Sequence, residues 1–210
     1  MKKVFFILCL FSFLSKRTYP SGLRLDARAN FLGQSELKLL GDRIVSNPGG
    51  LGVSEITKTA KDNIGFTFVA GYEKDLNKRL SLLTGVSYVY HKTKEFNLDY
   101  STDNSSIEGH AFTLNLSGQF NFLGGFFIET GVSFPVLSRY EGFFDNQTGV
   151  DKVDLEGRLG FDFSLGYRIV DFFRVSLGYA MAHVRKEKAL TGVDITLENK
   201  SYFLSFHFVF

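Results

Sequence analysis

Apolar and polar residues alternate along most of this chain with a period of two. In VDLEGRLGFDFSLGYRI, the odd positions hold Val153, Leu155, Leu159, Phe161, Phe163, Leu165, Tyr167 and Ile169, and the even positions hold Asp154, Glu156, Arg158, Asp162 and Arg168. Such a stretch is a β-strand with two chemically different faces. The pattern recurs at Leu23–Phe31, Ile64–Tyr72 (broken once, by Val69), Leu80–Tyr90, His110–Phe122, Phe126–Phe134, Phe173–His183 and Lys200–Phe210, which makes eight predicted strands.

The connections alternate in length. From the first gap to the last they run at about 30, six, 17, three, 17, three and 12 residues, where a hairpin loop ordinarily takes two to five. Short turns therefore fall at one end of the sheet. Long loops, at 33–63, 93–109, 136–152 and 186–198, fall at the other.

Strands of about 9–11 residues, even in number and joined by alternately short and long connections, describe a transmembrane β-barrel. In lipid every backbone N–H and C=O must find an internal partner, which only a sheet closed on itself provides. A soluble eight-stranded barrel would reverse the faces, with an apolar cavity and a charged exterior. The charges favour the membrane form. Arg24, Arg28, Arg158, Arg168, Arg174, Asp26, Glu129, Asp154, Glu156 and Asp162 all share the polar face, while the apolar face carries essentially none at membrane depth. The predicted fold is all-β: an eight-stranded antiparallel up-and-down transmembrane barrel.

An eight-stranded barrel is just wide enough for side chains to fill it. Buried charges persist when paired, so those ten residues are expected to form a structural ion-pair network that plugs the lumen. Glycines on the same face would make room for the long charged side chains.

The N-terminus reads MKKVFFILCLFSFLSKRTYPSG, a basic start followed by an apolar run too short for a stop-transfer helix. Residues 1–21 are expected to be an export signal and 22–210 the barrel, with cleavage near Ser21 or Gly22. Removing Lys2, Lys3, Lys16 and Arg17 takes the formal charge from +2 to −2, so the basic balance belongs to the leader and nucleic acid is not an expected partner. The one cysteine, Cys9, lies inside the apolar run, and cysteine chemistry is not expected of the mature chain.

Ending as it does in YFLSFHFVF, the chain from Gly22 to Phe210 resembles the small eight-stranded outer-membrane proteins of the OmpA and OmpX type, sometimes grouped as porin-family β-barrel proteins. The resemblance implies the outer membrane of a Gram-negative cell, with its lipid as surroundings. It also implies an assembly signal for the barrel-assembly machinery in Tyr202, Leu204, Phe206, Phe208 and Phe210. A periplasmic peptidoglycan-binding domain of the OmpA kind is not expected beyond the last strand, and anchoring to the cell wall is not carried over from the resemblance.

Chemistry is sparse. No catalytic, metal or cofactor motif appears. Some small barrels modify lipids, which brings His110 and His183 near the rim, with Ser105, Ser106 and Ser138, into consideration, but no acyltransferase pattern surrounds them. Asp99 and Asp103 in DYSTDNSS lack the spacing of a calcium loop. The Gly-rich NPGGLG of the first loop, Asn47–Gly52, is read as exposed. Exposed loops on a rigid scaffold are where binding specificity tends to sit. The expected function is a surface-interaction scaffold for extracellular ligands or cells, with a narrow solute pore as the alternative.

Overall fold

The computed structural model describes residues 21–41, 54–93, 96–97, 104–146, 149–190 and 193–210. The leader, Cys9, Asp99, Asp103 and 47–52 lie outside the described residues.

Ten strands form one antiparallel sheet: β1 (Ser21–Gly41), β2 (Ser54–Asp75), β3 (Leu80–Lys92), β4 (Phe96–Asn97), β5 (Asn104–Asn121), β6 (Phe126–Asn146), β7 (Gly149–Gly157), β8 (Gly160–Val170), β9 (Phe173–Leu190) and β10 (Val193–Val209). They make eight staves. β7 and β8 are one stave interrupted at Arg158 and Leu159, and β4 is a two-residue strand on the flank of β5. The ring closes where β1 pairs β10, from Arg24↔Val209 to Gly41↔Val193, and the Phe210 N–H donates to the Leu23 carbonyl at 2.8 Å. Among the described residues every pair of neighbouring staves is hydrogen-bonded, as lipid requires, and only β6 leaves the ladder to β7 and β8 over 134–139.

The turns at one end are short. Between β5 and β6, Gly124 (φ 79) and Gly125 (φ 87) take the left-handed backbone that a side chain disfavours. At the other end the expected long loops 33–63, 93–109, 136–152 and 186–198 are corrected: most of their residues are strand. β1 continues to Gly41 and β2 starts at Ser54, β5 starts at Asn104, β6 and β7 are separated by only 147–148, and β9 and β10 by only 191–192.

The strands appeared to stop because their chemistry inverts. Within the belt the outer face is Leu23, Leu25, Phe66, Phe68, Val86, Phe112, Leu116, Phe163, Leu165 and Leu177, all more than a third exposed, with no charge among them. Above it the outer face turns polar, with Glu36, Lys38, Lys92, Glu108, Arg139, Glu156 and Glu198, and the inner face turns apolar. Leu37, Ile107, Ile195 and Leu197 are 0% exposed, and Leu155 and Val184 nearly so. One-residue bulges at the transition in β1, in β6 near Val136 and between β7 and β8 swap the faces. Leu32, at the first, has φ 48 and is 67% exposed.

Aromatics gird both edges of the belt. Phe66 stacks on Tyr90 with centroids 5.0 Å apart and Tyr88 packs on Phe112 at 5.3 Å towards the extended end, while Phe120 meets Phe122 and Phe126 meets Tyr167 at the short-turn end. Such rings suit the boundary between hydrocarbon and water.

Candidate functional site in the barrel lumen

Within the belt the inward positions build one charged cluster, centred on Arg24 from β1. Its Nε and Nη2 donate to the two oxygens of Asp26 at 2.8 and 3.0 Å, a bidentate pair two residues apart on one strand face. Nη1 donates to Glu73 of β2 at 3.1 Å, and Nη2 stands 2.7 Å from Glu129 of β6. Arg174 of β9 donates to Glu73 at 2.8 Å and to the Gln119 carbonyl of β5 at 2.9 Å. Arg28 reaches Asp162 of β8 at 3.4 Å and Glu129 at 3.6 Å, with its guanidinium 5.0 Å over the Phe203 ring.

These contacts cross the lumen. Counting staves around the ring, β6 lies opposite β1, and β9 lies three staves from both β2 and β5. Arg24 is 1% exposed, Glu129 1% and Arg174 5%, so the space between the walls is filled. Three guanidiniums face four carboxylates, Asp26, Glu73, Glu129 and Asp162, and the His207 imidazole sits among them. A buried charge without a partner would cost several kcal/mol, and each of these has at least one.

Of the ten residues expected in this network, the structure gathers Arg24, Asp26, Arg28, Glu129, Asp162 and Arg174. The other four are corrected. Asp154, Glu156 and Arg158 are exposed on the outer surface, because the break between β7 and β8 reverses the face on which each parity falls. Glu156 lies 3.9 Å from Lys186 there. Arg168 is half-buried beside the β8–β9 turn and, among the described residues, makes none of the cluster's ion pairs. Glu73, Gln119 and His207 were missed. Glu73 follows directly on the alternating run ending at Tyr72, and extending that parity by one residue would have found it. Gln119 and His207 lay on the polar face but carry no fixed charge.

Ser176, His207 and Asp26 stand in the order of a nucleophile, base and acid: Ser176 Oγ is 2.8 Å from His207 Nε2, and His207 Nδ1 is 2.9 Å from Asp26 Oδ1. The chemistry stops there. Ser176 is 2% and His207 1% exposed, with Arg24 Nη2 2.7 Å from the same Nδ1 and the Phe127 ring packed edge-on against the imidazole. A reacting carbonyl has no room beside the hydroxyl. The glycine opposite Phe127 explains the fit: a Cβ on Gly166 would lie 2.2 Å from the ring. Gly178 gives the same room to the Phe203 ring, while a Cβ on Gly131 would lie 3.0 Å from the Asp162 carboxylate, so the lumenal glycines accommodate aromatic rings as well as the charged side chains expected from the sequence.

Towards the extended end, Tyr140, Leu155, Leu37, Leu197, Ile107 and Val184 come from six staves and are 6% exposed or less, so they pack against one another inside the barrel. The lumen is thus closed by charge at one depth and by hydrocarbon at another.

The other candidates sit apart. His110 points outward and stacks on Tyr88 at 6.1 Å. His183 also points outward, 4.0 Å from Glu198. Ser138 accepts the Gly157 N–H at 2.9 Å. Beyond the belt, Lys92 pairs Glu108 at 2.9 Å and Tyr90 donates to the same carboxylate at 2.9 Å, which together hold the Glu108 carboxyl below its usual range. Tyr202, Leu204, Phe206, Phe208 and Phe210 line the outer face of β10. Phe206 lies parallel to Phe173 at 6.3 Å, and Phe210 is 70% exposed.

No protein-family model and no curated protein sequence matches the chain. Solved structures do. The outer membrane protease OmpT from Escherichia coli matches with 11% identity over 94% of this chain and 100% of its own, at a TM-score of 0.50. Neisserial surface protein A matches with 13% identity over 91% and 99% at 0.42, and the outer membrane protein OprG from Pseudomonas aeruginosa with 12% over 92% and 97% at 0.45. Likeness at this identity speaks for the fold alone, and it agrees with the uncharged outer belt and the closed ring: the chain has the fold of an outer-membrane β-barrel protein.

Proposed function

We propose that this protein is a non-conducting outer-membrane scaffold that carries a rigid, strand-built surface outside the membrane for interaction with extracellular ligands or cells. The observation that supports it most is the 2.7 Å Arg24–Glu129 contact between opposite staves, at about 1% exposure on each side. An ion travelling along the axis would have to break that pair and then cross the apolar packing around Leu37 and Leu197.

The extended wall favours contact with partners over a polyelectrolyte role, since its exposed charges alternate in sign. Lys38 pairs Glu36 at 3.1 Å, Arg139 pairs Glu141 at 3.3 Å and Lys200 pairs Glu198 at 2.9 Å. Delivery to the membrane rests, on this reading, on recognition of Tyr202, Leu204, Phe206, Phe208 and Phe210 by the barrel-assembly machinery.

Single-channel recording in planar bilayers tests the proposal. The expected result is no stable opening. Large, regular openings would replace the scaffold by the narrow solute pore.

A further inference from the structure

Between the charged cluster and the apolar packing lies a cavity of about 100 Å³. That is about the volume of three waters at roughly 30 Å³ each. Its lining is drawn from both sides of the wall. Arg28, Asn115 and Asp162 contribute from the lumen, and Phe161, Met181 and Arg158 from the outer surface, where Phe161 is 48% exposed. Residues of both faces of the wall therefore border the cavity.

The backbone shows where. β6 pairs β7 from Tyr140↔Leu155 onwards and pairs β8 only as far as Ser133↔Gly160, so Phe134–Arg139 are in neither ladder. Pro135, within that stretch, has no N–H to offer. Across that stretch the Gly157 N–H donates to Ser138 Oγ at 2.9 Å, and a Cβ on Gly157 would lie 3.2 Å from Ser138 Cβ and 3.4 Å from Pro135 Cβ. This unladdered stretch sits at the edge of the apolar belt, between the exposed Val136 and Leu137 and the polar Arg139, Glu156 and Arg158.

Four lining residues carry a buried polar atom with no hydrogen-bond partner in the protein: Arg28 Nε, Asn115 Nδ2, His91 Nε2 and Asp162 Oδ1. Two of these are donors, one is an acceptor held 3.4 Å from Arg28 Nη1, and the imidazole nitrogen can be either. Such a set satisfies a group that both donates and accepts. The two charges in this set, Arg28 and Asp162, already face each other, so an added anion would meet Asp162 and an added cation would meet Arg28.

We propose that this cavity is a binding site for a small uncharged amphiphile, with a hydroxyl or primary amide towards Arg28, Asn115 and Asp162 and a short carbon chain towards Phe161 and Met181. The ligand enters sideways, between β6 and the β7–β8 break, and not along the barrel axis. The site is independent of whether the barrel conducts.

The test uses the folded barrel in detergent micelles, each variant first checked for the gel-mobility change on boiling that a closed barrel gives. Titration with 1-butanol, butyrate and butylammonium is followed by NMR at the Asn115 side-chain amide and the Met181 methyl. Expected are saturable shifts with 1-butanol alone, weakened at least tenfold by Gly157→Leu and, independently, by Ala182→Leu, which fills the same cavity. A second arm places a thiol in the cavity by Asn115→Cys in a Cys9→Ser chain. Neutral methyl methanethiosulfonate should label it at least tenfold faster than the sulfonatoethyl reagent, and Gly157→Leu should slow the labelling. Linear shifts unchanged in the filled variants would mean that the cavity holds water only. Equal response to the charged analogues, or equal labelling rates, would also overturn the proposal.

Discussion

Arg24 and Glu129 stand 2.7 Å apart although their strands, β1 and β6, face each other across the barrel. Arg24 is also the cation nearest to Asp26 and a partner of Glu73, so one side chain neutralises three carboxylates from three staves. Replacing it with Met should leave those buried acids facing one another without their common cation. Breaking a buried pair costs about 3–5 kcal/mol, and the urea midpoint of the Arg24→Met barrel should fall accordingly. Arg158→Ala is the control, because Arg158 is exposed on the outer surface and its loss should shift stability by no more than about 0.5 kcal/mol. Equal losses from the two substitutions would contradict this placement.

That control marks the limit of what alternation can tell. Leu155 and Phe161 share a parity in one unbroken run of sequence, yet Leu155 is 2% exposed inside the barrel and Phe161 48% exposed outside. The extra residue at Arg158–Leu159 leaves no compositional trace, since a bulge in a strand needs no special side chain. Within the belt the reading was secure for a physical reason: lipid tolerates no charge, so the charged face had to be the lumen. Above the belt water replaces lipid, polar residues become acceptable outside, and apolar ones fill the interior. The same rule applied there puts Leu37 and Ile195 in loops. Pairing partners such as Glu73 with Arg174 depend on the tilt and closure of the sheet, which no single strand encodes.

The apolar closure makes its own prediction. Leu197 is 0% exposed and sits in register with Leu37 on one side and Val184 on the other. Leu197→Ala should cost about 2–5 kcal/mol, the usual range for a buried leucine that leaves a cavity. Because the Arg24 cluster closes the lumen at another depth, the variant should still show no single-channel openings. Loss of stability with new conductance would mean that the charged cluster does not block the axis.

Outside the membrane, Lys92 and Tyr90 hold the Glu108 carboxyl below its ordinary value of 4.5, first through the lysine hydrogen bond. A lowered folded pKa contributes stability that is present above the unfolded pKa and is lost as pH falls through the folded one. Lys92→Met should therefore raise the Glu108 midpoint in an NMR pH titration. The effect on overall stability should be small, since the pair is exposed. An unchanged midpoint would show that Tyr90 alone sets it.

The lipid face can be probed at Phe163, 51% exposed on β8 and paired with Thr130 and Tyr179 in the middle of the belt. Phe163→Arg should destabilise the barrel in lipid vesicles by about 2–4 kcal/mol if the site lies at mid-depth. In short-chain detergent micelles, where the headgroups are nearer, the same change should cost less. A cost independent of the surroundings would point to packing within the protein.

Phe210 ends the seam that closes the ring. Its N–H donates to the Leu23 carbonyl at 2.8 Å, and its ring is 70% exposed on the lipid side. Physically, then, deleting it removes one backbone bond at the rim, worth about 0.5–1.5 kcal/mol, and one ring that the protein itself hardly covers. Folding into detergent should change little. If the outward row from Tyr202 to Phe210 is what the assembly machinery reads, insertion in cells should fall far more than that bond can explain. Comparing the two yields for the deleted and the full chain separates the contributions. Parallel losses in detergent and in cells would assign Phe210 to closure of the seam alone.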